Sequence, residues 1–244
     1  MWVYLYQNNS ELAMKNAYIG EYQEWWQPWA NTLAYYPLET DTNDYSWNNR
    51  DLTNSWITFS DGVWVFYGNS MATVTGSGWN INKPNMTIQA RFKCNYSTTN
   101  KSYTIVSRWE NSPSSNSNVC YMMALNYSSG TTYIMSWFAK WSDTSYNPWF
   151  FAHSISNNVW YLMTLVNENW NSQKLYLNGT QIASSNVITQ QNINSIPLVI
   201  WNTYYRSNQT YFVGNISNVI LEDKARTAQE ISDYYNWTKW NYWL

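Results

Sequence analysis

The chain has 244 residues, of which 11% are charged and 19% aromatic, and its formal net charge is -2. An ordinary domain carries about 25% charged residues, so Asn, Ser, Thr and Tyr must keep this one in solution. With no Lys/Arg cluster, there is no electrostatic footprint for nucleic acid or for an anionic membrane. No run approaches the roughly 18 apolar residues that would insert in a membrane, and the length fits one large all-β domain with a short appendage.

Residues 1–30 follow no sandwich pattern. MWVYLYQNNSEL lacks the charged start and apolar core of a secretory leader, so the expectation is that any export uses another route. Two readings of the segment stay open. It is an attachment or linker segment, suited to joining virion or surface-assembly proteins, or it is a strand and loop folded onto the domain.

From Asn31 the chain alternates short β-rich runs with polar turns, at the spacing of a two-sheet sandwich. The predicted strands are 32–36, 56–59, 63–67, 86–93, 104–109, 119–126, 132–139, 149–153, 159–166, 174–177, 181–184, 198–200 and 215–221. Met86, Ile88, Ala90 and Phe92 alternate with polar residues, as do Val119, Tyr121, Met123 and Leu125, which predicts half-buried strands. Cys94 and Cys120 end and begin two strands and are too few for a disulfide scaffold or a zinc site. They are expected to be unpaired thiols.

Ile216, Asn218, Ile220 and Glu222 alternate with Ser217, Val219, Leu221 and Asp223, and apolar residues on both parities mark a strand with neighbours on both faces. Thr227 followed by Glu230 is the reciprocal arrangement that satisfies the first free N–H groups of a helix. Ala228, Ile231, Tyr234 and Tyr235 then fall on one side, so a short helix should cap the body. A sandwich over 31–236 and a tail over 237–244 follow.

The run from Gly214 to Tyr235 resembles the C-terminus of laminin-G-like domains in the concanavalin A-like lectin/glucanase superfamily. Trp160-Tyr161-Leu162 with Leu175-Tyr176-Leu177-Asn178-Gly179 is similar to a strand pair of that family, and Tyr36-Pro37-Leu38 with Asp44, Ser46 and Asn48 is similar to its opening. The resemblance implies an all-β, two-sheet antiparallel jelly-roll sandwich with one short C-terminal helix. This superfold hosts many functions.

Eighteen Trp against eight Gly reverses the usual balance, since Gly averages about 7% of residues. Trp170 follows Asn169 where Asn-Gly would make a two-residue hairpin turn. Trp29 follows Pro28 where Gly would complete a type II turn, and Trp237 stands where Gly would end the helix. Trp47 occupies a Gly of the family opening, and Trp201, Trp240 and Trp243 sit in turn-like Asn contexts. The expectation is that these codons are UGA read as glycine, a code used by some bacterial lineages and their phages, while Trp160 is a true Trp. The alternative is a Trp-rich carbohydrate binder.

Catalysis finds little support. Glycoside hydrolysis needs two carboxylates facing one bond, but Glu222 and Asp223 are adjacent on a strand and point to opposite faces. Glu168 stands alone before a turn. His153 is the single histidine, so nucleophiles lack a second His-type partner. No metal set is expected: the family's calcium rim would allow calcium at Asp41, Asp44 and Asp143, but these residues are read first as solvated turn residues.

What remains is recognition by rings and amides. Two loops offer both: Trp141, Asp143 and Tyr146 in one, Tyr204, Tyr205, Arg206 and Asn208 in the other. The expectation is a non-catalytic module that binds a glycan or host-surface ligand, on a virion or an extracellular surface. A purely structural module and a glycoside hydrolase are the alternatives.

Overall fold

The computed structural model describes residues 31–55, 57–60, 63–66, 71–74, 83–95, 101–110, 118–128, 131–138, 149–169, 172–186, 197–200 and 212–239. Among them, two antiparallel sheets face each other. The first runs β13 (Thr180–Asn186), β12 (Ser172–Leu177), β11 (Trp160–Glu168), β6 (Met86–Cys94), β15 (Gly214–Glu222), β4 (Val63–Phe66) and β3 (Thr58–Ser60), and β1 (Thr32–Tyr36) also pairs with β15. The second runs β10 (Trp149–Ile155), β9 (Thr131–Phe138), β8 (Asn118–Ser128), β7 (Lys101–Glu110), β14 (Val199–Ile200), β5 (Met71–Thr73) and β2 (Thr53–Ser55). β2 and β5 were not expected from the sequence, because three residues are too few to display a period of two.

The core between the sheets comes from the apolar parity of each long strand. Met86, Ile88, Ala90, Phe92 and Cys94 of β6 meet Tyr103, Ile105, Met123, Leu125 and Ile134 of the opposite sheet. Both cysteines are buried and neither forms a disulfide, and burial pushes the Cys94 thiol up to about 12. β15 is central as expected, with β6 on one side and β4 and then β1 sharing the other. Asn218 marks the changeover. It adopts a left-handed φ of 48° inside a register shift, its N–H donates to the Pro37 carbonyl, and its side chain accepts from the Tyr35 hydroxyl.

The helix α1 (Ala228–Thr238) begins with the expected reciprocal cap between Thr227 and Glu230. Ile231 and Tyr234 are buried against the first sheet, but Ala228 is exposed and Thr238 takes the last buried position. The helix thus covers the outer face of β6, β11 and β15. β6, read from its alternation as half-buried, is therefore buried on both faces, with Thr87, Gln89 and Arg91 at 0%, 1% and 3% exposure.

The left-handed conformation expected at Trp237 is absent, and Trp47, which stands at a family glycine, does not adopt one either. Trp237 lies inside α1, whose C-cap Lys239 is right-handed, and in the first turn the positive φ belongs to Asn49 rather than Trp47. Glu168 pairs with Ser172 across β11 and β12, so three residues separate the paired ends, and Asn169 among them has a positive φ. The two-residue turn is Asn178-Gly179, where both φ values are positive and a Cβ on the glycine would press on Tyr235 of the helix. Trp47→Gly should therefore change stability by less than about 0.5 kcal/mol, because its ring is 67% exposed. Trp237→Gly should lose about 1–2 kcal/mol, from helix propensity and the ring contact with Tyr234. Urea unfolding of the two single variants measures both.

Candidate functional site

In a strand, alternate residues share a face, and residues paired across neighbouring strands line up in rows. On the outer face of the first sheet, one row joins Thr87, Val166 and Glu222, the next Gln89, Thr164 and Ile220, and the third Arg91, Leu162 and Ser217. Helix α1 lies over these three. Ile231 clusters with Val166 and Tyr176, and Tyr234 with Leu162, Ile220 and Tyr35. Thr238 accepts a 2.7 Å hydrogen bond from Arg91. There the helix ends.

Among the described residues, no element lies over the fourth row, the open row. It joins Trp160 on β11, Lys93 on β6, Asn215 on β15, Val65 on β4 and Thr58 on β3. The first four are half-buried and Thr58 is exposed. The Lys93 ammonium lies 5.2 Å from the centroid of the Trp160 ring, a cation–π contact of about 0.5–1 kcal/mol at such a site. Gly214 fixes the end of β15, since at its φ of 141° a Cβ would stand 2.0 Å from the Lys93 carbonyl oxygen. The row thus sets an indole, an ammonium and an amide side by side, with the Asn215 amide nitrogen donating to the Trp64 carbonyl at 3.4 Å.

The carboxylates are engaged elsewhere. Glu222 and Arg226 form a buried pair, each side chain 3% exposed, with Arg226 Nη2 donating to Glu222 Oε1 at 2.6 Å. Asp223 pairs with Lys83 at 3.0 Å. Hydrogen bonds from Lys174 and then Ser172 hold Glu168 below the usual carboxylate range, so it is ionised rather than poised as an acid. Burial pushes Glu230 up, but hydrogen bonds from Lys224 and Thr227 outweigh it and hold the group low. His153 is exposed on β10.

Asp44, expected at a solvated turn or in a calcium rim, is a buried organiser of its loop. Its carboxylate accepts from Tyr35 N–H, Ser46 N–H, Ser46 O–H and Arg50 N–H at 2.8–2.9 Å. Asp41 is held by Asn43 and the Tyr45 hydroxyl. No group of three or more His, Cys, Asp or Glu that could hold a metal occurs among the described residues.

Trp141, Asp143, Tyr146, Tyr204, Tyr205, Arg206 and Asn208 lie outside the described residues. The strands that flank their segments are described. β9 and β14 run in opposite directions in the second sheet, so the chain leaves toward the two loops at opposite ends. The segment with Tyr204 to Asn208 rejoins the fold at Phe212, three residues before Asn215 of the open row. The segment with Trp141 to Tyr146 departs from the far end. Sequence reasoning missed Lys93, Asn215 and Val65, because the row exists only across strands that are distant in sequence.

A family model described as the concanavalin A-like lectin/glucanases superfamily matches residues 66–232. The chain belongs to that superfamily. No curated protein sequence matches it. Domain 4 of AbnA, a GH43 extracellular arabinanase from Geobacillus stearothermophilus, solved with arabinotriose, has a TM-score of 0.61 at 15% identity, covering 83% of this chain and 97% of that one. The receptor binding domain of botulinum neurotoxin type G gives 0.60 at 15% identity, over 86% of this chain and 52% of its own. A Trypanosoma rangeli sialidase in complex with sialic acid gives 0.63 at 12% identity, over 85% and 33%. This superfamily member thus spans about half of the neurotoxin domain and a third of the sialidase. At such identities the likeness is one of fold.

Proposed function

We propose that the protein is a non-catalytic recognition module for a carbohydrate or another surface ligand. The observation that carries this reading is the open row, in which Trp160, Lys93 and Asn215 stand on a rigid sheet beside the end of the covering helix. A ring stacks on the C–H face of a sugar while an amide and an ammonium bind its hydroxyl edge. The engagement of Glu222, Asp223, Glu168 and Glu230 by cations favours binding over hydrolysis. The arabinotriose-bound domain and the neurotoxin receptor binding domain, both similar in fold, agree with it.

Tyr204, Tyr205, Arg206 and Asn208 are proposed to extend the ligand contact, with Trp141, Asp143 and Tyr146 as a separate set. A cell-surface or virion setting is proposed with it, as is glycine at some of the Trp codons. The intact mass of the protein from its source tests the last, and a mass matching 18 Trp sinks it. For the function, a glycan array is expected to show saccharide binding, and a reducing-sugar assay on the bound saccharides no release. An array without any bound saccharide would leave a structural module, and sugar release would make the protein an enzyme.

A further inference from the structure

We infer that the open row is a subsite for a saccharide bearing an anionic group, with the Lys93 ammonium meeting the charge. The inference rests on the carbohydrate reading and narrows it. The row crosses five adjacent strands, and at about 4.8 Å between strands it is about 19 Å long. That is a flat platform for several sugar rings laid across the strands, rather than a pit for one.

Charge selects the ligand. Neither this row nor the covered one beside it, Arg91, Leu162 and Ser217, contains a carboxylate, so the formal charge along the strip is positive. The Trp160 ring holds the Lys93 ammonium at the surface, which reduces the entropy lost on meeting a ligand. An ammonium is a point charge without the planar fork of a guanidinium, so it takes a carboxylate or a sulfate alike. The shared chemistry is an anionic substituent on a sugar ring.

The test uses the full chain and three immobilised probes: neutral hexose, hexuronate and sulfated hexose oligosaccharides. Wild type is expected to bind a charged probe at least about tenfold more tightly than the neutral one, the scale of a hydrogen bond to a charged group. Raised salt should shrink that preference. Lys93→Glu should abolish it, Lys93→Gln should weaken binding about tenfold, and Lys93→Arg should keep it. Lys93 is half-buried at the surface, and matched thermal unfolding confirms that each variant is folded. Equal binding of charged probe by wild type and Lys93→Glu, or preference for the neutral probe, overturns the subsite but leaves carbohydrate recognition standing. Failure of wild type to bind any saccharide overturns both.

Discussion

Replacing Glu222 by alanine is expected to lower folding stability by about 3–5 kcal/mol, the usual cost of removing one partner from a buried ion pair. Arg226 would keep a charge in a place where 3% of the side chain meets solvent. Its backbone N–H would still donate to Thr87 Oγ1 at 3.0 Å, so the guanidinium could not easily swing out to water. Because this pair anchors the segment entering α1, hydrogen exchange over 228–238 should rise before the sheets open. The double change Glu222→Leu with Arg226→Met is expected to recover most of the loss, since well-packed apolar residues often replace a buried pair at little cost. Urea unfolding of the single and double variants measures both. A single variant as stable as wild type would remove the pair from the list of supports for the helix.

Asp44→Ala is expected to lose about 3 kcal/mol. The substitution leaves three backbone N–H groups, those of Tyr35, Ser46 and Arg50, without the carboxylate that accepts them. Each buried loss costs about 1–3 kcal/mol, and partial water access lowers the sum. Asp44→Asn should recover only part, because its amide offers one acceptor oxygen in place of two and turns an N–H₂ toward donors. Asp41→Ala is the control. Its partners are exposed, so a change below about 1 kcal/mol is expected, and equilibrium unfolding separates the two aspartates.

Much of the fold was readable from local pattern. Met86 to Phe92 showed the period of a strand, Thr227 and Glu230 showed the helix start, and the two-sided apolar run from Ile216 to Leu221 showed a central strand. All three follow from neighbours close in sequence. The candidate site was not readable in this way. Trp160 was visible only as part of a strand motif, and Lys93 and Asn215 were read only as members of predicted strands. Rings and amides in loops drew attention because loops commonly carry function, whereas the open row lies on the sheet itself.

The conformations of Trp47 and Trp237 mark the boundary sharply. Trp47 stands at a family glycine and Trp237 at an expected helix stop, yet Asn49 takes the positive φ in one place and the helix continues through the other. A turn can place its left-handed residue at more than one position, and packing of Tyr234 and Thr238 on the sheet carries the helix past its local stop signal. The same holds for polar residues. Alternation told that Thr87, Gln89 and Arg91 share a face with Lys93, but not that the first three are buried and the fourth is open.

The sequence by itself determined the long strands, the helix cap and the central place of β15, because these depend on periodicity and residue chemistry over a few positions. The tertiary structure alone decided that Glu222 meets Arg226 out of water, that Asp44 organises a loop, and where α1 stops on the sheet. That stopping point leaves Lys93, Trp160 and Asn215 together beyond the cover of the helix. Burial and cross-strand register depend on which distant segments meet, and no local pattern contains that information.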